Sequence, residues 1–451
     1  MNFEDYNLPN EFINQMKDLL THKDFEAYIN SFKQSPQKAI RINTTKINEQ
    51  KFLSLYEGQN LEKVPYFEYS YYSNKEKVGK NILHQIGCFY SQDPSSMMPI
   101  ALIRNLDIEG KRVLDMCASP GGKSLQIANL VGKEGLIASN EIVPLRAKIL
   151  QSNVERLGQT NFIVLNDNPK NISNNLRNTF DIVIVDAPCS GEGMFRKDPK
   201  AITEWSVEGV KANQYRQKQI IDEADKCLKN GGYLIYSTCT YSKLENEDIA
   251  SYIEEKGYKI VKIDEKIKKI ATVSLLKENT CRCIPGLMRG EGQFCVLLKK
   301  DGYNDEIQAN KKINYIKNEI ADNFIKENLN LDFDYHLEMV GGYICIVPEN
   351  NIDTKNLKVV SKGVILGQIV KNRLEPHHQI FSAYGKYFNI KLDVTNDKEL
   401  LKKYLRGEQL SKDLPKGYGV IIYHNVSVGG FKSVNGDLKN LYPKGLRGDY
   451  E

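Results

Sequence analysis

The sequence predicts an α/β protein built on a mostly parallel sheet, with a small α+β module before it and a β-rich region after it. Three observations carry this. Ile182-Val183-Ile184-Val185 is a run of four β-branched residues, which reads as a strand buried on both faces. It stops at Asp186 and Pro188, and proline cannot continue a central strand. Similar short apolar runs at Val113-Leu114, Leu136-Ile137, Phe162–Leu165 and Tyr233–Tyr236 alternate with helical periods, the rhythm of βαβ units. Finally, 451 residues with 41% hydrophobic and 26% charged content are ordinary for a globular chain, long enough for two to four domains.

Composition narrows the function classes. No apolar run is long enough to span a bilayer, and Met1 to Phe12 is too acidic and polar for a signal peptide. Nine cysteines, an odd number without a disulfide framework, fit a reducing cytoplasm. The net charge of +5 is uneven, since residues 351–451 carry 17 Lys+Arg against 10 Asp+Glu. A basic C-terminal region beside a near-neutral body points to a polyanionic partner.

In chain order, residues 1–80 form the α+β module, expected to contact the polyanion. Its helices are Asn10 to Leu20 and Lys23 to Phe32, and its strand is Ala39 to Asn43. Arg41 points opposite to Ile40 and Ile42, toward phosphate or simply toward solvent. Residues 81–300 hold the main domain. Asp93 and Pro94 are an N-cap and first helical position for a helix through Met97, Met98 and Leu102. The strand Arg112 to Met116 then runs into Cys117, Ala118, Ser119, Pro120, Gly121, Gly122 and Lys123, with a helix to Val131. This strand–glycine loop–helix unit lays backbone N–H groups against a ligand. It approaches a Walker A loop, but Cys117 replaces the first glycine and Pro120 removes an N–H, which disfavours a nucleoside triphosphatase.

The next strands end in acids. Leu136 to Asn140 ends at Glu141, about 20 residues past the glycines, where a carboxylate accepts from ribose hydroxyls. After a helix from Pro144 to Leu157, the strand Phe162 to Leu165 ends at Asp167, placed for an adenine amino group. With Asp186, these acids frame a ribose-bearing cofactor and would repel phosphates. S-adenosylmethionine, a phosphate-free cation, suits them. Cys189 and Cys239 follow the ends of two strands, and two thiols with one carboxylate at a sheet edge suggest covalent chemistry rather than structural cysteines.

Other features read as structural. Cys281, Cys283 and Cys295 lack metal-site spacing, and Cys88, Cys227 and Cys345 sit in apolar contexts. His377 and His378 are expected on a surface loop. Trp205, after the basic pair Arg196-Lys197, either grips RNA or packs its loop onto the helix Val210 to Leu228; packing is preferred. A helix from Leu244 to Glu254 and strands at Lys259 to Ile263 and Phe294 to Lys299 close the domain.

These motifs resemble the NOL/NOP/Sun RNA (cytosine-5) methyltransferases. The resemblance rests on Cys117 to Lys123, Asn140-Glu141, Asp186-Ala187-Pro188-Cys189-Ser190-Gly191-Glu192-Gly193-Met194 and Ser237-Thr238-Cys239-Thr240-Tyr241-Ser242. Arg41 to Thr44, Tyr90 to Met97, Phe195 to Pro199 and Gly290 to Phe294 also fit. Leu366 to Pro376 and Tyr442 to Arg447 are similar to the RsmF-type bacterial branch, which appends a PUA-like RNA-binding domain and methylates small-subunit rRNA near the decoding centre. Pro285-Gly286 departs from the Pro-His of many relatives.

The resemblance implies a Rossmann-like methyltransferase domain, a linker and intermediate α/β module at 301–380, and a PUA-like domain at 381–451. It implies methyl transfer from S-adenosylmethionine to carbon 5 of a cytosine in 16S rRNA, by a monomer acting on rRNA or the 30S subunit. Cys117 to Lys123, Glu141, Arg146, Asp167 and Asp186 are expected to hold the cofactor. Carbon 5 of cytosine is a poor nucleophile until a thiolate adds to carbon 6, and Asp186 is the candidate acid at ring nitrogen 3. That role needs Asp186 protonated or strongly hydrogen-bonded. Spacing alone leaves open which thiol attacks: DNA cytosine-5 enzymes use the Pro-Cys thiol. The family resembled here uses the Thr-Cys thiol, which implies Cys239 as nucleophile and Cys189 in release, with Lys123 as a positive neighbour or a solvated helix-start lysine. The rival readings are another RNA substrate such as tRNA, methylation of a nitrogen, which needs no thiol pair, and a non-catalytic assembly factor, which need not bind the cofactor.

Overall fold

Three short strands, β1 (Ala39–Ile42), β2 (Ser70–Tyr72) and β3 (Phe89–Gln92), form an antiparallel sheet in the order β2-β1-β3. The computed structural model describes residues 7–56, 61–73, 75, 77–273, 276–302, 313 and 315–450. The third strand lies past residue 80, so the N-terminal sheet extends into the segment assigned to the next domain. Arg41 is neither exposed nor aimed at solvent: it is 2% exposed and donates to the Gly122 carbonyl at 3.1 Å. The glycine loop lies over this face of the strand, so Arg41 braces the loop instead of meeting solvent.

The central sheet has five parallel strands: β4 (Arg112–Asp115), β5 (Leu136–Asn140), β6 (Phe162–Leu165), β7 (Phe180–Asp186) and β8 (Leu228–Thr238). Their order is β8-β7-β4-β5-β6. On the β8 side, β9 (Tyr258–Ile260), β10 (Thr272–Val273), β11 (Cys281–Cys283) and β12 (Gln293–Lys300) add antiparallel neighbours. Alternation along the strands divides the core. Val113, Ile137, Ile182, Ile184 and Ile235 pack on one face, and Leu114, Ala138, Val183, Val185, Leu234 and Tyr236 on the other. Each such buried aliphatic side chain contributes about 1.5–3 kcal/mol. The chain leaves β4 in one direction for β5 and β6, then returns past β4 for β7 and β8. The crevice of this reversal lies at the carboxyl ends of β4 and β7.

Downstream, β13 (His336–Val340), β14 (Tyr343–Val347), β16 (Val364–Val370) and β17 (Arg373–Pro376) form a four-stranded sheet. Between them β15 (Val359–Lys362) leaves to pair antiparallel with β6, so this later module completes the central sheet. A five-stranded sheet follows, ordered β18 (Ile390–Asp393), β20 (Gly417–Tyr423), β21 (Val426–Val434), β22 (Asp437–Asn440) and β19 (Leu410–Ser411). Lys46 joins three modules, donating to the carbonyls of Ile86 and Arg156 and to the Ser382 hydroxyl, each at 3.0 Å. Among the described residues no helix is long and apolar enough to cross a membrane.

Several boundaries move. The helix expected from Ile313 is Glu319–Asn328, capped by Asn318, and the polar stretch at 303–310 lies outside the described residues. Asp93 accepts from the Ser95 backbone N–H at 2.9 Å as expected of a cap, but a 3-10 turn precedes the helix Met98–Ala101. His377 and His378 do not form a surface loop. His377 is half-buried and caps the helix His378–Tyr384, its ring nitrogen accepting from the Gln379 N–H.

Candidate active site

The glycine loop leaves β4 at the reversal of strand order. Gly121 has φ +109°, a left-handed value, and a Cβ there would fall 2.8 Å from the Leu150 methyl, so only glycine fits. The loop is tied on all sides. Ala118 donates its N–H to the Asn140 carbonyl at 2.8 Å, and Asn153 donates to the Pro120 carbonyl at 2.9 Å. Arg146 donates to the Ser119 carbonyl at 2.9 Å, while the Ser119 hydroxyl donates to the Arg146 carbonyl at 3.0 Å. The same guanidinium lies 3.4 Å from Glu141. Arg146 thus joins the loop to the acid at the end of β5.

Lys123 is not a solvated lysine. It is 8% exposed and donates to Asp186 Oδ2 at 2.7 Å, while the Ser237 hydroxyl donates to Oδ1 at 2.7 Å. Burial pulls the ammonium down, but the Asp186 carboxylate more than offsets it and the Lys123 pKa is raised. Both Asp186 oxygens therefore accept a hydrogen bond. Asp115, at the end of β4, accepts from the Ser124 hydroxyl at 2.6 Å, and its other oxygen is buried without a hydrogen-bond partner. Burial pushes its pKa up to about 7.

The remaining strand-end groups divide. Glu141 is 4% exposed and accepts from the Val143 N–H at 2.9 Å. Asp167 accepts from the Asn168 N–H, the Asn171 amide and the Lys358 N–H at 2.9, 2.7 and 3.1 Å, so its carboxylate also fastens the segment leading into β15. The Cys117 thiol is pushed up by burial and the acids around it, as suits a small loop residue. The single loop cation is neutralised by Asp186, and further acids surround it. This donor set fits a cationic, phosphate-free cofactor and disfavours a polyphosphate.

Across the crevice, β7 and β8 are parallel neighbours with Asp186 opposite Ser237. Each strand ends in a turn that lifts its cysteine to the same place. The Cys189 and Cys239 sulfurs are 3.3 Å apart, and both residues are half-buried and reachable. The pair shares a proton unequally. The hydrogen bond between them lowers the Cys239 pKa, and the Cys189 thiol is raised well above its ordinary value by the same bond and by burial. Of the two, Cys239 is the more acidic thiol.

Two Gly-Glu-Gly segments hold these turns together. Gly193 donates to the Cys239 carbonyl at 2.8 Å, and a Cβ on Gly193 would lie 2.7 Å from the Gly292 Cα. Glu192 is buried and accepts from the Tyr241 N–H, the Trp205 indole and the Gln15 amide, all at 2.9 Å. Trp205 packs as preferred, but against the N-terminal module and not the helix that follows it: its ring lies 6.1 Å from that of Phe12 in an edge contact. Arg196 and Lys197 are engaged by Glu291 and Asp93 at 3.2 and 2.7 Å. Cys281, Cys283 and Cys295 lie in the core between β11 and β12.

The structure brings together Asp186, Cys189, Cys239, Lys123 and the glycine loop. Sequence reasoning quoted Ser237, Ser190 and Thr240 within the motifs without giving them a role, and it did not single out Glu245. Ser190 and Thr240 are neighbours of the two cysteines, a signal that was present. Glu245 was hidden because Leu244 to Glu254 reads as one helix. The helix starts at Glu247, and Glu245 turns inward from the preceding loop.

The chain matches the family described as 16S rRNA methyltransferase RsmB/F over residues 104–299. Residues 8–94 match the N-terminal domain of 16S rRNA methyltransferase RsmF, 323–383 the RsmF rRNA methyltransferase first C-terminal domain, and 391–448 the methyltransferase RsmF PUA domain. Ribosomal RNA small subunit methyltransferase F of Shewanella piezotolerans is 30% identical over 96% of both chains. The Enterobacter sp. protein of the same name is 33% identical over 67% of this chain and 65% of its own. The crystal structure of NSun6 from Pyrococcus horikoshii with SFG shares the fold, with a TM-score of 0.58 and 20% identity over 66% of this chain and 100% of that one. By profile, by full-length identity and by domain order, the chain belongs to the RsmF-type family of 16S rRNA methyltransferases.

Proposed function

We propose that this chain methylates carbon 5 of a cytosine in small-subunit rRNA, with Cys239 as nucleophile, Cys189 serving release and the Asp186–Lys123 pair acting at ring nitrogen 3. The 3.3 Å contact of two reachable thiols beside that ion pair is the observation that carries the reading. The glycine loop, Glu141, Arg146 and Asp167 would hold S-adenosylmethionine, which would supply an electrophilic methyl group when bound.

The target base leaves its stack to reach the sheet edge. The Cys239 thiolate adds to carbon 6, the ring double bond moves toward carbon 4, and nitrogen 3 takes a proton from the Asp186–Lys123 pair. Carbon 5 becomes the nucleophile that accepts the methyl. Once the Cys189 thiol has given its own proton to solvent, the net proton that the reaction releases, Cys189 takes the carbon 5 proton; the carbon–sulfur bond then breaks and returns the Cys239 thiolate. Nitrogen 3 hands its proton back to the pair. The basic C-terminal region supports a polyanionic substrate, which is rRNA, free or in the 30S subunit.

Incubating the protein with 16S rRNA or 30S subunits and methyl-labelled S-adenosylmethionine, followed by bisulfite sequencing, tests this reading. Label at carbon 5 of defined cytosines is expected. Label on a ring or exocyclic nitrogen overturns it.

A further inference from the structure

Two thiols on separate turns stay in contact only if something fixes the turns. The Gly193 and Gly292 contact does so on one side of the cysteines. On the other side stands Glu245, fully buried behind them. One of its oxygens accepts from the Ser190 N–H at 3.0 Å and from the Gln217 amide at 2.9 Å. The other accepts from the Ser190 hydroxyl at 2.5 Å. That hydroxyl lies 2.8 Å from the Thr240 hydroxyl. Gln217 also donates to the Pro188 carbonyl at 3.0 Å. Ser190 follows Cys189 and Thr240 follows Cys239, so one carboxylate reaches both cysteine-bearing turns through a single serine.

We propose that Glu245 is a positioning residue whose clasp on Ser190, and through it Thr240, sets the contact between the two thiols. The clasp rests on the reading of Cys239 as the attacking thiol, because its consequence is the thiolate held there by the Cys189 hydrogen bond. Burial already raises the Glu245 carboxyl to about 7, the cost of placing an acid behind a thiol pair. The charged groups facing the thiols are Asp186, Lys123 and Glu245. Charge on Glu245 itself pushes the thiols up, so replacing it mixes two opposed effects. The neutral variant Ser190→Ala isolates the geometry, and Thr240→Val cuts the same link while also removing the Thr240 hydrogen bond to Glu192.

The test is the pH dependence of iodoacetamide alkylation in the full-length protein, read at each cysteine by peptide mass spectrometry. In the unaltered protein Cys239 is expected to react first, with a midpoint below the free-thiol value of about 8.5. Ser190→Ala and Thr240→Val should move the midpoint up by about one unit, slowing Cys239 alkylation at pH 7 about tenfold. Thr240→Ser, which keeps the hydroxyl, should restore it. Glu245→Gln should lower kcat with KM for rRNA unchanged. A midpoint that stays in place in variants with unchanged circular dichroism overturns the clasp. Faster reaction at Cys189 in the unaltered protein instead overturns the assignment of the nucleophile, and the clasp falls with it only if the midpoint of the reactive thiol is also unmoved.

Discussion

Lys123 and Asp186 form an ion pair of 2.7 Å between the glycine loop and the turn that carries Cys189. The pair neutralises the loop's own lysine, and it couples the glycine-loop side of the crevice to the thiol side. Replacing Lys123 with Met leaves Asp186 uncompensated. A fully buried pair broken in this way costs about 3–5 kcal/mol. Asp186 keeps 34% side-chain exposure, so solvent recovers part of that, and about 2 kcal/mol is expected. Urea unfolding measures this loss, and methyl transfer to rRNA should fall at least tenfold.

Gly193→Ala tests the joint between the two cysteine turns. The added methyl meets the Gly292 Cα at 2.7 Å and the Cys239 carbonyl at 2.9 Å, both backbone, so the turns must part. Overpacking of this kind costs about 1–3 kcal/mol. Thermal unfolding should register it, and transfer should fall more steeply than stability because the thiol contact is lost.

Arg282 and Glu247 form a bidentate pair under the Cys239 turn, with side-chain exposures of 2% and 4%. Arg282 also donates to the Tyr241 carbonyl at 2.8 Å. Glu247→Ala leaves a buried guanidinium without its carboxylate. The expected cost is about 3–5 kcal/mol, seen as a fall in the urea midpoint.

Asp115 gives a pH signature. Its folded pKa of about 7 lies above the unfolded value of about 3.9. Between those values the folded state holds a proton that the unfolded state has lost. Stability from this group is therefore full at low pH and declines as pH rises toward 7, by up to about 1.4 kcal/mol per unit. Asp115→Asn should remove that decline, so the difference in unfolding free energy between variant and unaltered protein grows from pH 4 to pH 7. A difference that stays flat contradicts the burial of this carboxyl.

The central strands were legible because their β-branched runs are buried on both faces, and the strand-end acids and thiols followed from where those runs stop. Cys189 and Cys239 are 50 residues apart yet meet, a consequence of β7 and β8 pairing in register that the motifs anticipated. What stayed hidden depends on long-range packing. Arg41 alternates like an exposed residue, and it is the glycine loop, 81 positions away, that covers it. The capture of β15 by β6 joins residues nearly two hundred positions apart, which no local pattern encodes. Glu245 reads as part of a helical first turn, and the break at Asn246 that turns it inward carries no proline or glycine.

The most direct test of the division of labour is covalent trapping. Each single variant, Cys239→Ala and Cys189→Ala, is incubated with 16S rRNA and S-adenosylmethionine and run on a denaturing gel. Cys189→Ala should accumulate a protein–RNA adduct, because addition proceeds and release does not, while Cys239→Ala should form neither adduct nor methylated product. An adduct formed by Cys239→Ala, or none formed by a folded Cys189→Ala, contradicts the account.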